Sequence, residues 1–338
     1  MIIFHFNRRV LSYVEIVGVA AAGVVILGLF FHAWSIRQRE RAATIAQESA
    51  LIGRQIFPAD DPWNTDISAE PVDGNSNAVI ASIGVDEPLH ADFGSVYHSE
   101  PFGIPYVIVS ADQPKVPVTF LNAVESDAGL YPIPPDAPVE GGRNSHGDRH
   151  LLIVDKSSWM LYELYAAYTN SDGGWQAGSG AIFDLSKNSV QRHPGFTSAD
   201  AAGLPIFPGL ARYDEVIEQG RITHALRFTV QRTRRGFIYP ASRFASRNTD
   251  ENLPPMGMRV RLKRDFDLST FPPCCRVILQ GLKTYGMILA DNGGNWFISG
   301  APDPRWNDRE LEMLKNVKGS DFEVVRMGEI ATKLVSFP

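Results

Sequence analysis

Cysteine is nearly missing from this chain. There are two in 338 residues, and they are adjacent, Cys274 and Cys275. A disulfide framework needs several separated cysteines, so none is expected, and the pair reads as free thiols at a helix start. No neighbour has zinc-ligand spacing, so no metal site is expected. The chain also lacks a glycosylation sequon, a P-loop, a glycine fingerprint behind a strand, a G-x-S-x-G elbow and an H-E-x-x-H helix. These gaps argue against nucleotide enzymes and typical serine hydrolases, and no cofactor is expected. An excess of positive charge is missing too: the net charge is −6, which argues against nucleic acid as a partner. Internal repeats and low-complexity tracts are absent.

What is present is the composition of a globular protein with a real core, 44% hydrophobic and 21% charged. The 29 glycines and 23 prolines supply the turns that a β-rich chain needs. Ile16 to Ala33 carries no formal charge over eighteen residues, with Tyr13 and Trp34 at its ends. That is about the minimum for one transmembrane helix with interfacial aromatic anchors. Arginines flank both ends, so the positive-inside rule does not settle orientation. The expectation is an anchor over 1–34, a helical stalk over 35–56, and one large domain over 57–338 outside the cytoplasm, periplasmic or at the cell surface. The Pro/Gly-rich stretch 130–148 marks a possible boundary between two lobes.

Glu15 lies just inside the apolar run, five residues after Val10. That layout resembles the N-terminus of type IV pilins and pseudopilins, though the usual glycine before the processing site is missing. It implies an assembly role as an alternative.

From Phe57 onward, short apolar runs alternate with turn residues. HLLIVD (150–155), WMLYELYAAY (159–168) and WQAGSGAIFDL (175–185) read as an antiparallel meander. Further strands are expected at 224–230, 237–240, 258–263, 287–290 and 296–299. Helices are expected at 276–285 and 308–318, the second opened by a capping box of Asn307 and Glu310. The sum is a mostly β body, an antiparallel sandwich or jelly roll with two short C-terminal helices.

Alternation along a strand puts Trp159, Leu161, Glu163 and Tyr165 on one face. A carboxylate among aromatic rings suits sugars, whose apolar faces stack on rings while their hydroxyls bond carboxylates. Glu163 and Asp184 are therefore candidate acid and nucleophile or base of a glycosidase. His224 joins them as a candidate acid or base. Trp159, Tyr165 and Trp175 are candidate sugar-stacking residues, and Arg227, Arg259 and Arg261 candidate substrate-binding residues. The arginines belong to a sector, 221–264, with eleven basic residues against two acidic ones. Such a sector can hold an anionic ligand, or it can be a solvated face paired with acidic strands. His146 and His150 bracket Gly147-Asp148 in a loop, weak spacing for a metal. The run 195–215 is an ordered loop with Thr197, Ser198, Asp200, Arg212, Asp214 and Glu215 as its polar candidates.

The runs FPADDPWNTDIS (57–68), GSGAIFDLSKN (178–188), GFTSADAAGLPIFPGLARYDE (195–215), HALRFTV (224–230) and LPPMGMRVRL (253–262) resemble an uncharacterised family of secreted or membrane-anchored bacterial proteins. The resemblance implies one folded unit from Phe57 and transfers no catalytic residue. The functional expectation is a membrane-anchored protein that engages polysaccharide, as a hydrolase or lyase or as a non-catalytic binder.

Overall fold

The computed structural model describes residues 51–334, apart from 52, 99, 171–173 and 190–195. The expected anchor, Glu15 and residues 35–50 of the expected stalk lie outside the described residues. Among the described residues no helix is long and apolar enough to cross a membrane.

The domain is mostly β, with several sheets, few helices and no closed barrel. Strands β1 (His90–Asp92), β2 (Val96–Tyr97), β3 (Glu100–Pro101), β4 (Tyr106–Val109), β5 (Val116–Phe120) and β6 (Leu130–Tyr131) come first. The meander region supplies β7 (Leu151–Asp155), β8 (Met160–Tyr165), β9 (Tyr168–Thr169), β10 (Trp175–Ala177) and β11 (Ser179–Asp184). The last group is β12 (Leu226–Val230), β13 (Arg259–Leu262), β14 (Met287–Asn292), β15 (Phe297–Ser299) and β16 (Phe322–Val324). Helices are α1 (Ser76–Ile83), α2 (Pro273–Thr284) and α3 (Asp308–Leu311).

Three larger sheets result, ordered β1-β15-β12-β14-β13-β16, β11-β8-β7-β4 and β6-β5-β10-β9. The expected meander forms as β7, β8 and β11, antiparallel in sequence order. The wholly antiparallel body does not form. β1 with β15, β12 with β14, β4 with β7, and β5 with β10 all pair in parallel. Parallel neighbours need long crossovers, and strand alternation does not reveal which strands those crossovers bring together.

The β11-β8-β7-β4 sheet is buried on both faces. Leu152, Val154, Leu161, Ala181 and Phe183 share one core with Leu226, Phe228, Met287 and Ile298 of the six-stranded sheet. Leu151, Ile153, Tyr162 and Leu164 face a second core with Tyr131, Trp175 and Ala177. All five residues of β7 are buried, which explains the unbroken apolar run at 151–154. Each such fully buried side chain contributes about 1.5–3 kcal/mol of hydrophobic stabilisation.

α2 begins three residues earlier than expected, because Pro273 sits at its first position, where no N–H is needed. Cys274 and Cys275 are buried free thiols in its first turn. The expected helix at 308–318 is one α-turn followed by a 3₁₀ segment, Glu312–Asn316. Its capping box is not made; Asn307 Nδ2 donates instead to the Glu310 side chain at 2.8 Å. The segment 237–240 makes only isolated bridges through Phe237, to Met256 and Ala331. α1 was not anticipated.

Candidate functional site

Four neighbouring strands of the six-stranded sheet place one row of polar side chains on one face. Asp92 on β1 pairs with Ser299 on β15. The antiparallel register of β15 and β12, Phe228 opposite Ile298, continues to place Ser299 opposite Arg227. On β14 an extra residue, Ala290, breaks the ladder, so Asp291 rather than Ala290 lies opposite Thr229. Thr229 and Arg227 share a face by strand alternation, so the bulge turns Asp291 onto the Arg227 face.

A strap from the 195–215 run closes over this row. The carbonyl exposed by the bulge, that of Ala290, accepts the Ala202 N–H at 3.0 Å. Gly203 makes the tight turn with φ +73°, and a Cβ there would collide with the Ser242 side chain. Further along, the N–H groups of Ile206 and Phe207 donate to the Glu163 carboxylate, each at 2.9 Å. These pins set Asp200 against Arg227, Oδ2 to Nε 2.8 Å.

Arg227 is thereby fully engaged. It donates to Asp200, to Ser299 Oγ at 2.7 Å and to Asp291 Oδ2 at 3.4 Å. His150 completes the centre from the facing sheet. Its Nδ1 meets Glu140 Oε2 at 2.6 Å and its Nε2 meets the Ala199 carbonyl at 3.0 Å. Both partners are acceptors, so both bonds form only when both ring nitrogens carry hydrogen.

The environment pushes these groups apart electrostatically. Burial raises Asp291 to about 6, with nearby Asp200 adding to the rise and Arg227 opposing it. Burial also raises Asp92, helped by Glu140. Burial works against the charge of Glu140 as well, but the His150 charge and hydrogen bonds outweigh it and hold Glu140 below its usual range. Burial likewise opposes charge on His150, and Glu140 more than offsets it, so His150 is raised. The Asp291 and Glu140 side chains remain 26% exposed, and Asp92 is exposed. These carboxylates thus keep contact with water while the protein around them partly desolvates them. Tyr165 stands beside this cluster, 38% exposed, its ring 5.8 Å from that of His150.

The other expected site residues are distributed differently. Glu163 is fully buried inside the first core, where burial raises it to about 7 against its two backbone donors. Asp184 pairs with Met160, whereas Glu163 pairs with Ala181. The two carboxylates are three positions apart and on opposite faces, so they do not form an acid–nucleophile pair. Asp184 sits at the surface, held to about 2 by Lys187 and Ser186. Trp175 is a second-core residue at 7% exposure, not a stacking platform. Trp159 is half-buried at a turn, covered by the Arg54 guanidinium 3.8 Å from its ring centre.

The basic sector does not gather into one face. Arg259 donates to the carbonyls of Pro62, Thr65 and Tyr285, and Arg261 to Ile67 and Glu323. Both clamp the 62–67 segment against the sheet. Arg243 pairs with Glu125, and Arg235 lies over Phe244.

His224 belongs to a second buried centre. Its Nε2 meets Glu215 Oε2 at 3.1 Å, and Arg212 Nη2 bonds the other Glu215 oxygen. The Glu140–His150 pair, Asp92, Asp291 and Ser299 were not selected as a site from the sequence. Of the Arg227 centre, Arg227 itself and Tyr165 had been selected as substrate-binding residues, and His150 and Asp200 had been singled out, for a loop spacing and as a polar residue in an apolar strap. Among the described residues no group of three or more acidic, histidine or cysteine side chains is placed to hold a metal ion.

The fold and this centre define a mostly β domain with a cluster of buried and half-buried ionisable side chains where two sheets meet. No protein-family model, curated protein or solved structure matches the chain.

Proposed function

We propose that this domain is a glycan-processing hydrolase of sandwich-like build, held by residues 16–33 at a membrane with its bulk outside the cytoplasm. In this reading Asp291 protonates the glycosidic oxygen as the bond to the anomeric carbon breaks. Glu140 takes a proton from the water that adds to that carbon. Arg227 balances the charge left on Asp291. The observation that carries the reading is the placing of two part-exposed carboxylates in one cluster, Asp291 on Arg227 and Glu140 on His150, with Asp291 raised to about 6 and Glu140 lowered. Such divergence is how one site supplies both an acid and a base near neutral pH. Binding without cleavage is the second reading. It is favoured by the exposed rings of Tyr165 and Tyr168, the latter 4.2 Å beneath the Arg149 guanidinium.

The test is release of reducing ends from a panel of polysaccharides by the purified full-length chain. Asp291→Asn and Glu140→Gln are each expected to lower the rate by about 10²–10⁴-fold. The wild-type rate is expected to fall as pH rises through about 6, when Asp291 loses its proton. Unsaturated product ends would identify a lyase instead. Product release unchanged in both variants would remove the assignment of this centre, and binding without any product would favour the second reading.

A further inference from the structure

The centre around His224 lines a cavity of its own, of about 350 Å³. Four ionisable side chains in its wall are buried: Arg212, Asp214, Glu215 and His224 are each at most 6% exposed. Desolvating four such groups can cost folding more than their mutual attraction returns, and clusters of this kind concentrate at functional sites. The inner four largely neutralise one another. Glu215 is bonded by Arg212 and His224, while Asp214 accepts from Gln219 at 3.0 Å and lies 3.6 Å from Arg212 Nε.

The mouth is different. Arg54 and Arg221 stand there without a further acidic residue in the lining. Arg54 is occupied with the Lys156 carbonyl and the Trp159 ring. Among the described residues the exposed Arg221 guanidinium has no hydrogen-bond or ion-pair partner. Gln55 and Thr223, both exposed, add neutral hydrogen-bonding groups to the same lining. The cavity therefore offers surplus positive charge at its entrance over a polar floor. Its volume is at the lower end of the roughly 300–1,000 Å³ typical of small-molecule sites, room for a single ring rather than a polymer.

We propose that this cavity binds a small hydroxylated organic acid, about the size of one uronic acid, with its carboxylate on Arg221 and its hydroxyls on Gln55 and Thr223. This site is separate from the Arg227 centre and does not depend on the reading given to it.

Calorimetric titration of the full-length chain with D-glucuronate, D-glucose and inorganic phosphate tests it. Glucuronate is expected to bind, with glucose and phosphate each at least about tenfold weaker, the loss of one charge-assisted pairing or of the hydroxyl contacts. Arg221→Gln, at an exposed position that leaves the buried network intact, is expected to weaken glucuronate by about tenfold or more. Its circular dichroism should match that of the wild type. Asp291→Asn is expected to leave glucuronate affinity unchanged; a loss there would mean the acid binds at the other centre and would overturn the proposal. So would absence of glucuronate binding, equal affinity for phosphate or glucose, or an Arg221→Gln variant that binds as wild type does.

Discussion

The two buried ionic centres are built in opposite ways. Around His224 the bonded partners are close in the chain: Arg212 with Glu215, three residues apart, and Glu215 with His224, nine apart. Around Arg227 the partners are 27, 72 and 64 residues away, on the strap and on two other strands. The first centre forms largely from one stretch of chain. The second exists only when the six-stranded sheet is complete, the β14 bulge is in place and the strap is pinned. A centre assembled from remote strands ties its chemistry to the whole fold, so its disruption should be felt globally.

The largest effect separating the two is therefore expected at Arg227. Arg227→Met leaves Asp200 buried without its cation and should destabilise the domain by about 3–5 kcal/mol, read from urea unfolding. Glu215→Gln should cost less, about 2 kcal/mol in the same measurement, because Arg212 keeps Asp214 as a neighbour and His224 keeps its bond to the Ala225 carbonyl. Equal losses in the two variants would contradict the distinction between a locally and a globally built centre.

Glu163 sharpens it through pH. Its carboxyl is raised from 4.5 to about 7 in the folded protein, so between those values the folded state holds a proton that the unfolded chain has released. Stability from this group is therefore present at low pH and lost as pH rises from about 4.5 through about 7. The Glu140–His150 pair works the other way at each end. The lowered Glu140 contributes above its ordinary range and loses that contribution as pH falls, while the raised His150 contributes below its ordinary value and loses that as pH rises. Glu163→Gln should abolish the decline in stability between about pH 4.5 and 7 that is specific to the wild type. Urea midpoints of the two proteins across that range give the comparison, and parallel curves would exclude Glu163 as the titrating group.

The smallest effect is expected at Asp184. It is a surface carboxylate on the far face of β11, and Asp184→Asn should change stability by no more than about 0.5 kcal/mol. Product release, where found, should stay at the wild-type rate. A large loss of activity there would reopen the pairing with Glu163 that the sheet register separates.

Much of the framework was legible in residues 150–185 and 224–299, where apolar runs end at Gly, Asn and Asp turns. The Arg276–Tyr285 face was legible too, since helical periodicity is a local property. Pairing was not. Whether β12 lies beside β14 or β4 beside β7 depends on crossovers, and the double burial of β7 erased the alternation that marks a one-sided strand. The site followed the same rule. Asp200, Arg227 and His224 stood out as polar residues in apolar runs, but Glu163 stood out the same way and proved to be the strap's anchor, while Trp175, picked as a stacking ring, proved to be core.

Chain order and side-chain chemistry alone determined the meander strands, those at 226–230, 259–262 and 287–292, the core of the helix at 276–284, and the free state of two adjacent thiols. These rest on interactions a few residues long. Tertiary structure alone decided which carboxylates meet. One extra residue at Ala290 turns Asp291 onto the face of Arg227, and a strap more than forty residues from β8 finds its anchor in Glu163. Burial and neighbouring charge, which set the protonation of these groups, arise only once distant strands have packed.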